Sequence, residues 1–317
     1  MSTRSAVLPG IDRPTSHRAP RHRLRSLTVG VAATVALGVS ATVAPPAAAR
    51  TPMYFGAVSG GYAEAVAGTG ENLAEHAYST FSGTPPTARM ITVHAGSASW
   101  RDVAGAAPGS ALYDDVVRWA QTLKARSGAI MVAYNHEPEA AAGGSHGSSA
   151  DFVAAWRRVV AIFDAQGATN VEWTWQMTAY AFRTPSGDAR AAVNWYPGDA
   201  FVDNVGADAY NWSDCGHGNG RWNELSWLME PVLAFARAHG KAASMPEFAA
   251  QSDARRSQWI RNAHQFFVTN EDTLTAAFYF NRAPTVQTNS DCHWALMNSA
   301  DYDALGDIAR DRAHFAA

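Results

Sequence analysis

Two glutamates stand where apolar stretches of the sequence give way to polar ones. Glu137 follows the run Ala129–Tyr134 (AIMVAY) in the segment Tyr134-Asn135-His136-Glu137-Pro138-Glu139, and Glu247 sits in Met245-Pro246-Glu247-Phe248. A third polar cluster, Gly206-Ala207-Asp208-Ala209-Tyr210-Asn211, closes the run that begins at Val202. A packed core has no use for charge in such places, because burying an unpaired carboxylate is costly. A facing pair of carboxyl groups can instead divide the work of breaking a glycosidic bond. One protonates the leaving oxygen, and the other attacks the anomeric carbon or activates water. Glu137, beside His136 and Pro138 at an aromatic-flanked strand end, has surroundings able to raise its pKa toward the acid/base role. Glu247 is then the nucleophile, with Tyr210 as the hydrogen-bond partner that orients it. Glu139 reads as a structural or solvated acid.

Such a pair works only if the fold brings together residues 110 positions apart. The chain alternates β-rich and helical segments in the way this requires. Strands are expected at Met53–Ser59, Ala88–His94, Ala129–Tyr134, Asn170–Met177, Val202–Tyr210, Lys241–Phe248 and Leu274–Asn281, with a weakly marked one near His76–Phe81. Between them, Ala111–Ala125 carries Leu112, Val116, Trp119 and Leu123 on one helical face. Ser149 is expected to cap a helix over Ala150–Ala165 that stops at Gly167, and further helices are expected near 222–238, 255–269 and 302–312. Successive strand ends near 137, 177, 210, 247 and 281 are 40, 33, 37 and 34 residues apart. Those are the steps of βα units with parallel strands. Eight such strands make a (β/α)8 TIM barrel, an α/β fold, the first choice and a doubly wound open sheet the second. No G-x-G-x-x-G follows the first strand, which counts against dinucleotide binding. Barrel active sites lie at the C-terminal strand ends, where both glutamates fall. His94 and Asn281, ending the third and eighth strands, are cleft-facing by topology. Asp208 points toward the mouth, to bind sugar or Tyr210.

The first 49 residues read as an export signal that is removed, leaving 50–317 as a single catalytic domain. Six arginines (Arg4 to Arg25) precede the apolar run Leu27–Val43, and a small-residue cleavage site follows at Ala47-Ala48-Ala49. Of 25 basic and 28 acidic residues, the leader holds six and one, so the rest carries 19 and 27 and a formal charge of −8. A chain this acidic lacks the basic stripe that nucleic acid demands, and neutral glycans suit it better than anionic ones. Cys215 and Cys292, the two cysteines, are expected to form a disulfide in an exported protein. Tryptophan is abundant, at 11 residues, as a cleft that stacks sugar rings on indoles would need. Trp175, near a strand end, is the expected sugar platform. Trp212 and Trp294 flank the cysteines, to wall the cleft or to cover the disulfide.

The motifs His136-Glu137-Pro138-Glu139, Trp195-Tyr196-Pro197-Gly198-Asp199 with Gly206-Ala207-Asp208-Ala209-Tyr210, and Pro246-Glu247-Phe248, in this order, resemble glycoside hydrolase family 26 and its clan of 4/7 barrel hydrolases. The resemblance runs from about Trp100 to Trp294. It implies Glu137 as acid/base on strand four, Glu247 as nucleophile on strand seven, Tyr210 in contact with that nucleophile, and His136 as a ligand of the sugar beside the cleavage point. Expected substrates are β-linked neutral polysaccharides, β-mannan first and β-glucan or β-xylan after it, cleaved with retention. No cofactor and no metal are expected; nor is membrane association after signal removal, and the chain should be a monomer. The rivals from other classes are a non-catalytic carbohydrate-binding barrel and a metal-dependent hydrolase.

Overall fold

The alternation of strand and helix closes on itself. The computed structural model describes residues 51–317 apart from 142, 143, 145 and 285–290, and the expected leader lies outside the described residues. The order is β1 (Met53–Val58), α1 (Tyr62–Thr69), β2 (Ala74–Thr80), β3 (Met90–His94), α2 (Trp100–Ala104), α3 (Ala111–Lys124), β4 (Ile130–Tyr134), α4 (Ser149–Gln166), β5 (Val171–Thr178), β6 (Asn204–Asn211), α5 (Leu225–Ala238), β7 (Ala242–Ala250), α6 (Arg256–Thr269), β8 (Leu274–Tyr279), α7 (Ser299–Arg310) and β9 (Phe315–Ala316). Strands β1 to β8 pair in parallel with their sequence neighbours, and β1 pairs with both β2 and β8. The result is the (β/α)8 barrel. The short β9 adds to β1.

Local chemistry fixes the helix starts. The Ser148 side chain accepts from Asp151 N–H while the Asp151 carboxylate accepts from Ser148 N–H, a capping box that starts α4 one residue earlier than expected from Ser149. Ser99 and Asp102 build the same box on α2, and Ser110 caps α3. At its other end α4 stops at Gly167, whose φ of 72° is left-handed.

Side chains alternate across each strand, so every strand faces two interiors. The outward set, including Trp173, Trp175 and Met177 of β5, packs beneath the helices. The inward set divides by chemistry. Val58, Ala74, Met90, Met131, Ala133, Ala276 and Phe278 fill one part of the barrel with hydrocarbon. His76, Thr92, Thr174, Gln176, Asn204, Asp208 and Ser244 are also buried, and hydrogen bonds link most of them. At the lower level, Ser244 Oγ donates to Asn204 Oδ1 at 2.6 Å, and Asn204 Nδ2 donates to Thr275 Oγ1 at 2.6 Å.

The β6–β7 ladder loses register between Gly206 and Ala209, and the β7–β8 ladder loses it between Met245 and Phe248. Pro246 lies in that gap and has no N–H to give to a ladder, which is where proline in a sheet belongs. Its ring leans over Gly206. A Cβ there would lie 2.8 Å from Thr174 Cγ2 and 2.9 Å from Pro246 Cγ. Gly206→Ala should therefore push the Pro246-Glu247 bulge aside, lowering stability by about 1–3 kcal/mol and activity with it. Urea unfolding read beside turnover checks this, and a variant equal to wild type in both would show the bulge tolerates a methyl group.

Candidate active site

The turn after β4 is sharply bent. Asn135 and Glu137 both have positive φ, 55° and 44°, a conformation that costs non-glycine residues roughly 1–2 kcal/mol. Hydrogen bonds hold it there: Glu137 N–H donates to Gln176 C=O at 3.1 Å, and Ala140 N–H donates to Glu137 C=O at 3.0 Å. Glu139, two residues on, is 3% exposed and accepts from Thr178 N–H and Oγ1, each at 2.7 Å. The turn is thus stitched to β5, and Glu137 is left lining the cleft.

Across the mouth, the β7 bulge delivers Glu247, 7% exposed. One carboxylate oxygen accepts from the Tyr78 hydroxyl and the other from the Tyr210 hydroxyl. Burial and the nearby Glu247 push both phenols well above their ordinary pKa, so they remain donors. The carboxylate of Glu247 is held from two sides with both oxygens as acceptors.

Glu137 has the opposite surroundings. Burial first, then the charges of Glu247 and Glu139, raise its pKa to about 8, opposed by a hydrogen bond with Asp208. Asp208, 2% exposed, is itself pushed well up by burial and by Glu247 and Glu137. Burial lowers the pKa of His136, whose ring lies edge-on to Tyr78 at 5.1 Å. The mouth therefore pairs an acid that keeps its proton near neutrality with a carboxylate fixed by two phenols.

Beside Glu137 opens a cleft of about 690 Å3, lined among others by Tyr180, Trp212, Trp227, Arg183, Asp208 and Tyr210. Its wall is built rather than accidental. Pro231 within α5 cannot donate to the Trp227 carbonyl four residues back, and the Arg183 guanidinium donates to that carbonyl instead. The guanidinium thereby lies over the Trp227 ring, 3.8 Å from its centre. Among the described residues no three His, Cys, Asp or Glu side chains converge as a metal site.

Residues 108–277, more than half of the chain, match Glycosyl hydrolase family 26. The chain belongs to that family. Among curated proteins it resembles Endoglucanase H of Acetivibrio thermocellus, 26% identical over 151 residues, which are 47% of this chain and 16% of that one. Among solved structures it resembles a GH26 β-mannanase from Bacteroides ovatus, with a TM-score of 0.54 and 13% identity over 84% of this chain and 90% of the other. The catalytic domain of the Bacillus sp. JAMB-750 GH26 endo-β-1,4-mannanase gives 0.56 and 14% over 84% and 87%. An endo-β-1,4-glucanase from Xanthomonas axonopodis pv. citri gives 0.54 and 12% over 81% and 94%. At these identities the structural likeness speaks for the fold.

Within this family 26 barrel, the residues singled out by sequence are only partly brought together. Glu137, Glu247, His136, Asp208 and Tyr210 gather at the mouth. His94 stands at the rim within electrostatic reach of His136, its Nδ1 accepting from Gly96 N–H at 3.1 Å. Trp294, 5% exposed, packs on Tyr210 and Trp212 with ring centres 4.8 and 5.2 Å away. Cys215 and Cys292 form the disulfide, with Cα atoms 5.2 Å apart, and so fasten the two segments that carry Trp212 and Trp294.

Two expectations are corrected. Trp175 is completely buried on the outer face of β5, against Phe182, Tyr196 and Phe235, and offers no surface to a sugar. Asn281 is buried too, its amide donating to Gly61 C=O at 3.0 Å and accepting from Leu296 N–H at 2.7 Å. It ties two loops together. Sequence reasoning missed Tyr78, which shares the holding of Glu247 with Tyr210. The one signal for it was its position two residues after His76 on the weakly marked second strand. Tyr78→Phe removes one of the two donors and should lower kcat about 10–100-fold with little change in KM, below the loss seen for an oxyanion-hole donor. Steady-state kinetics checks this, and an unchanged kcat would show that Tyr210 alone suffices.

Proposed function

We propose that this family 26 chain is an exported, endo-acting, retaining hydrolase of a neutral β-linked polysaccharide, with Glu137 as acid/base and Glu247 as nucleophile. The observation that carries this reading is the contrast between the two glutamates: one pushed up to a pKa of about 8 by burial and like charge, the other accepting from two phenolic hydroxyls. Two carboxyl groups set apart by their environments are what acid and nucleophile roles need.

In the first step Glu137 donates its proton to the glycosidic oxygen while Glu247 attacks the anomeric carbon. The bond to the leaving chain breaks as the ester to Glu247 forms. The leaving sugar lies on the Glu137 side, which assigns the cleft walled by Tyr180, Trp212 and Trp227 to the leaving-group half of the substrate. Glu137, now ionised, then takes a proton from water, which attacks the ester, restoring both carboxyl groups with net retention. His136, neutral through burial, hydrogen-bonds the sugar at the cleavage point. Asp208, Tyr210, His94 and Trp294 complete the wall around it.

β-1,4-Mannan is the first substrate by family, and the match to Endoglucanase H supports β-glucan as the second. Export rests on the basic leader with its apolar run and on the disulfide. Among the described residues no helix is long and apolar enough to cross a membrane.

Reducing-end release from mannan, mixed-linkage glucan, xylan and chitin identifies the substrate. On it, Glu137→Gln should lower kcat/KM roughly 10²–10⁴-fold and Glu247→Ala should abolish turnover. Full activity in either variant sinks the assignment. Because the acid must carry its proton, wild-type kcat/KM should fall as pH rises through about 8. Linkage gives a further outcome. The carboxyl of Glu137 binds its proton more tightly folded than unfolded, so its ionisation erodes stability as pH rises from the ordinary carboxylate range toward about 8. Glu137→Gln should therefore raise Tm at pH 7 but not at pH 4, and calorimetry at both pH values checks this.

A further inference from the structure

Beneath Asp208 a line of buried polar groups crosses the barrel. It starts at the carbonyl of Pro246 on β7, an acceptor only, with His76 Nδ1 of β2 2.8 Å away. His76 Nε2 is 2.8 Å from Thr92 Oγ1 on β3, and Thr92 Oγ1 is 2.8 Å from the Gln176 amide on β5. The other end of that amide lies 3.0 and 2.9 Å from the two oxygens of Asp208 on β6. His76, Thr92 and Gln176 are 0% exposed and Asp208 is 2% exposed.

The line has four contacts, and each needs one proton between its heavy atoms. A neutral imidazole supplies one, the threonine hydroxyl one, and the amide one, on its nitrogen side only. That makes three. An ionised Asp208 adds none, so a neutral His76 beside an ionised Asp208 leaves two lone pairs face to face somewhere in a region without solvent, which is costly. The fourth proton can sit in two places. With an imidazolium, both ring nitrogens donate, Thr92 donates to Gln176 Oε1, and the amide nitrogen donates to Asp208. With a carboxylic acid, Asp208 donates to the amide oxygen, the turned amide donates to Thr92, and Thr92 donates to His76 Nε2.

We infer that His76 and Asp208 jointly hold one proton through the Thr92–Gln176 bridge, so that Asp208 adds no uncompensated charge to the mouth where Glu137 and Glu247 stand. His76, Thr92 and Gln176 are thereby positioning residues, acting on the reaction through Asp208. The groups facing Asp208 are Gln176 from β5, Glu137 and Glu139 from the turn after β4, Glu247 from β7, and the phenols of Tyr78 from β2 and Tyr210 from β6. Those facing His76 are Thr92 and Pro246 C=O, with His136, Tyr78 and Phe278 beside its ring. Burial, which holds His76 down to about 3 and Asp208 well up, favours the acid arrangement. The contact of Tyr78 with Gln176 favours the amide orientation of the other. The proton count is the same in both.

Two experiments test this. In the wild-type protein at pH 7, ring 15N shifts of labelled histidine, with His76 assigned by its loss in His76→Gln, report the imidazole. Infrared bands of 13C-carboxyl-labelled aspartate, with Asp208 assigned by Asp208→Asn, report the acid. A cationic His76 with an ionised Asp208, or a neutral His76 with a protonated Asp208, is the expected result. Neutral with ionised, or cationic with protonated, overturns the inference whatever the enzyme's substrate proves to be. The second experiment rests on Glu137 and Glu247 being the catalytic pair. Thr92→Val removes two contacts, and the remaining two are satisfied with Asp208 ionised. Both limbs of the kcat/KM pH profile should then move to higher pH by roughly one unit, the effect of one added like charge nearby. An unshifted profile in the folded variant counts against the relay, and if that variant fails to fold the spectroscopy decides alone.

Discussion

The constraint that organises this structure is the crowding of four carboxyl groups, Glu137, Glu139, Asp208 and Glu247, at one poorly solvated barrel mouth. Like charges so placed cannot all ionise cheaply, and the fold separates them by giving each a different set of donors. Glu247 receives two phenols, Glu139 a backbone N–H with a hydroxyl, and Asp208 an amide. Among the described residues Glu137 receives a contact with Asp208 alone, itself a carboxyl. Asp208 is pushed up as well, and Glu137, with the poorest donors, is raised to about 8, the property an acid catalyst needs. Chemical roles here follow from the distribution of N–H and O–H groups more than from the identities of the acids themselves.

That distribution is enforced by backbone irregularities. A regular β7 would carry residues 245 to 248 through continuous ladders on both sides; the bulge at Pro246-Glu247 breaks them. It turns Glu247 toward the two tyrosines and frees the Pro246 carbonyl to accept from His76 across the barrel. The left-handed turn at Asn135 and Glu137 does the equivalent work on β4, and the Glu137–Gln176 backbone bond joins it to the same polar line. The strain at Asn135 and Glu137 is sustained by a closed barrel whose other interior part is packed hydrocarbon.

Much of this was legible in the sequence, and the failures have physical causes. Strands buried on both faces, such as β4, are uninterrupted apolar runs and were plain. Strand β2 was faint because its inward positions, His76 and Tyr78, are polar, so the residues that serve the site erased the hydrophobic signal of the strand that carries them. Trp175 was misread because strand parity alone does not say which face is inward. On β5 the inward face proves to be Thr174 and Gln176, and the indoles point to the helices. The helix start at Ser148 rather than Ser149 was recoverable, since only Ser148 has an acid, Asp151, three residues later. No local pattern announces that the amide of Asn281 is consumed by Gly61 and Leu296, because one of those partners lies 220 positions away.

The barrel interior shows why specificity and catalysis can vary within one architecture without unfolding it. Hydrocarbon from β8 through β4 resists change, as each methylene lost from such packing costs stability. The polar line from β2 through β3, β5 and β6 is different in kind. It contributes little net stability, because each bond replaces one to water, yet a single substitution in it leaves a buried group without a partner. Its worth lies in linking the electrostatics of Glu137 and Glu247 to His76, Thr92 and Gln176, side chains with no exposed surface to offer a substrate. The aromatic wall of the cleft beside Glu137, with Arg183 over Trp227 of α5 and with Trp212 just after β6, is built from residues outside that line. Those residues can therefore be exchanged to suit another ligand while the protonation of the mouth stays as the barrel sets it.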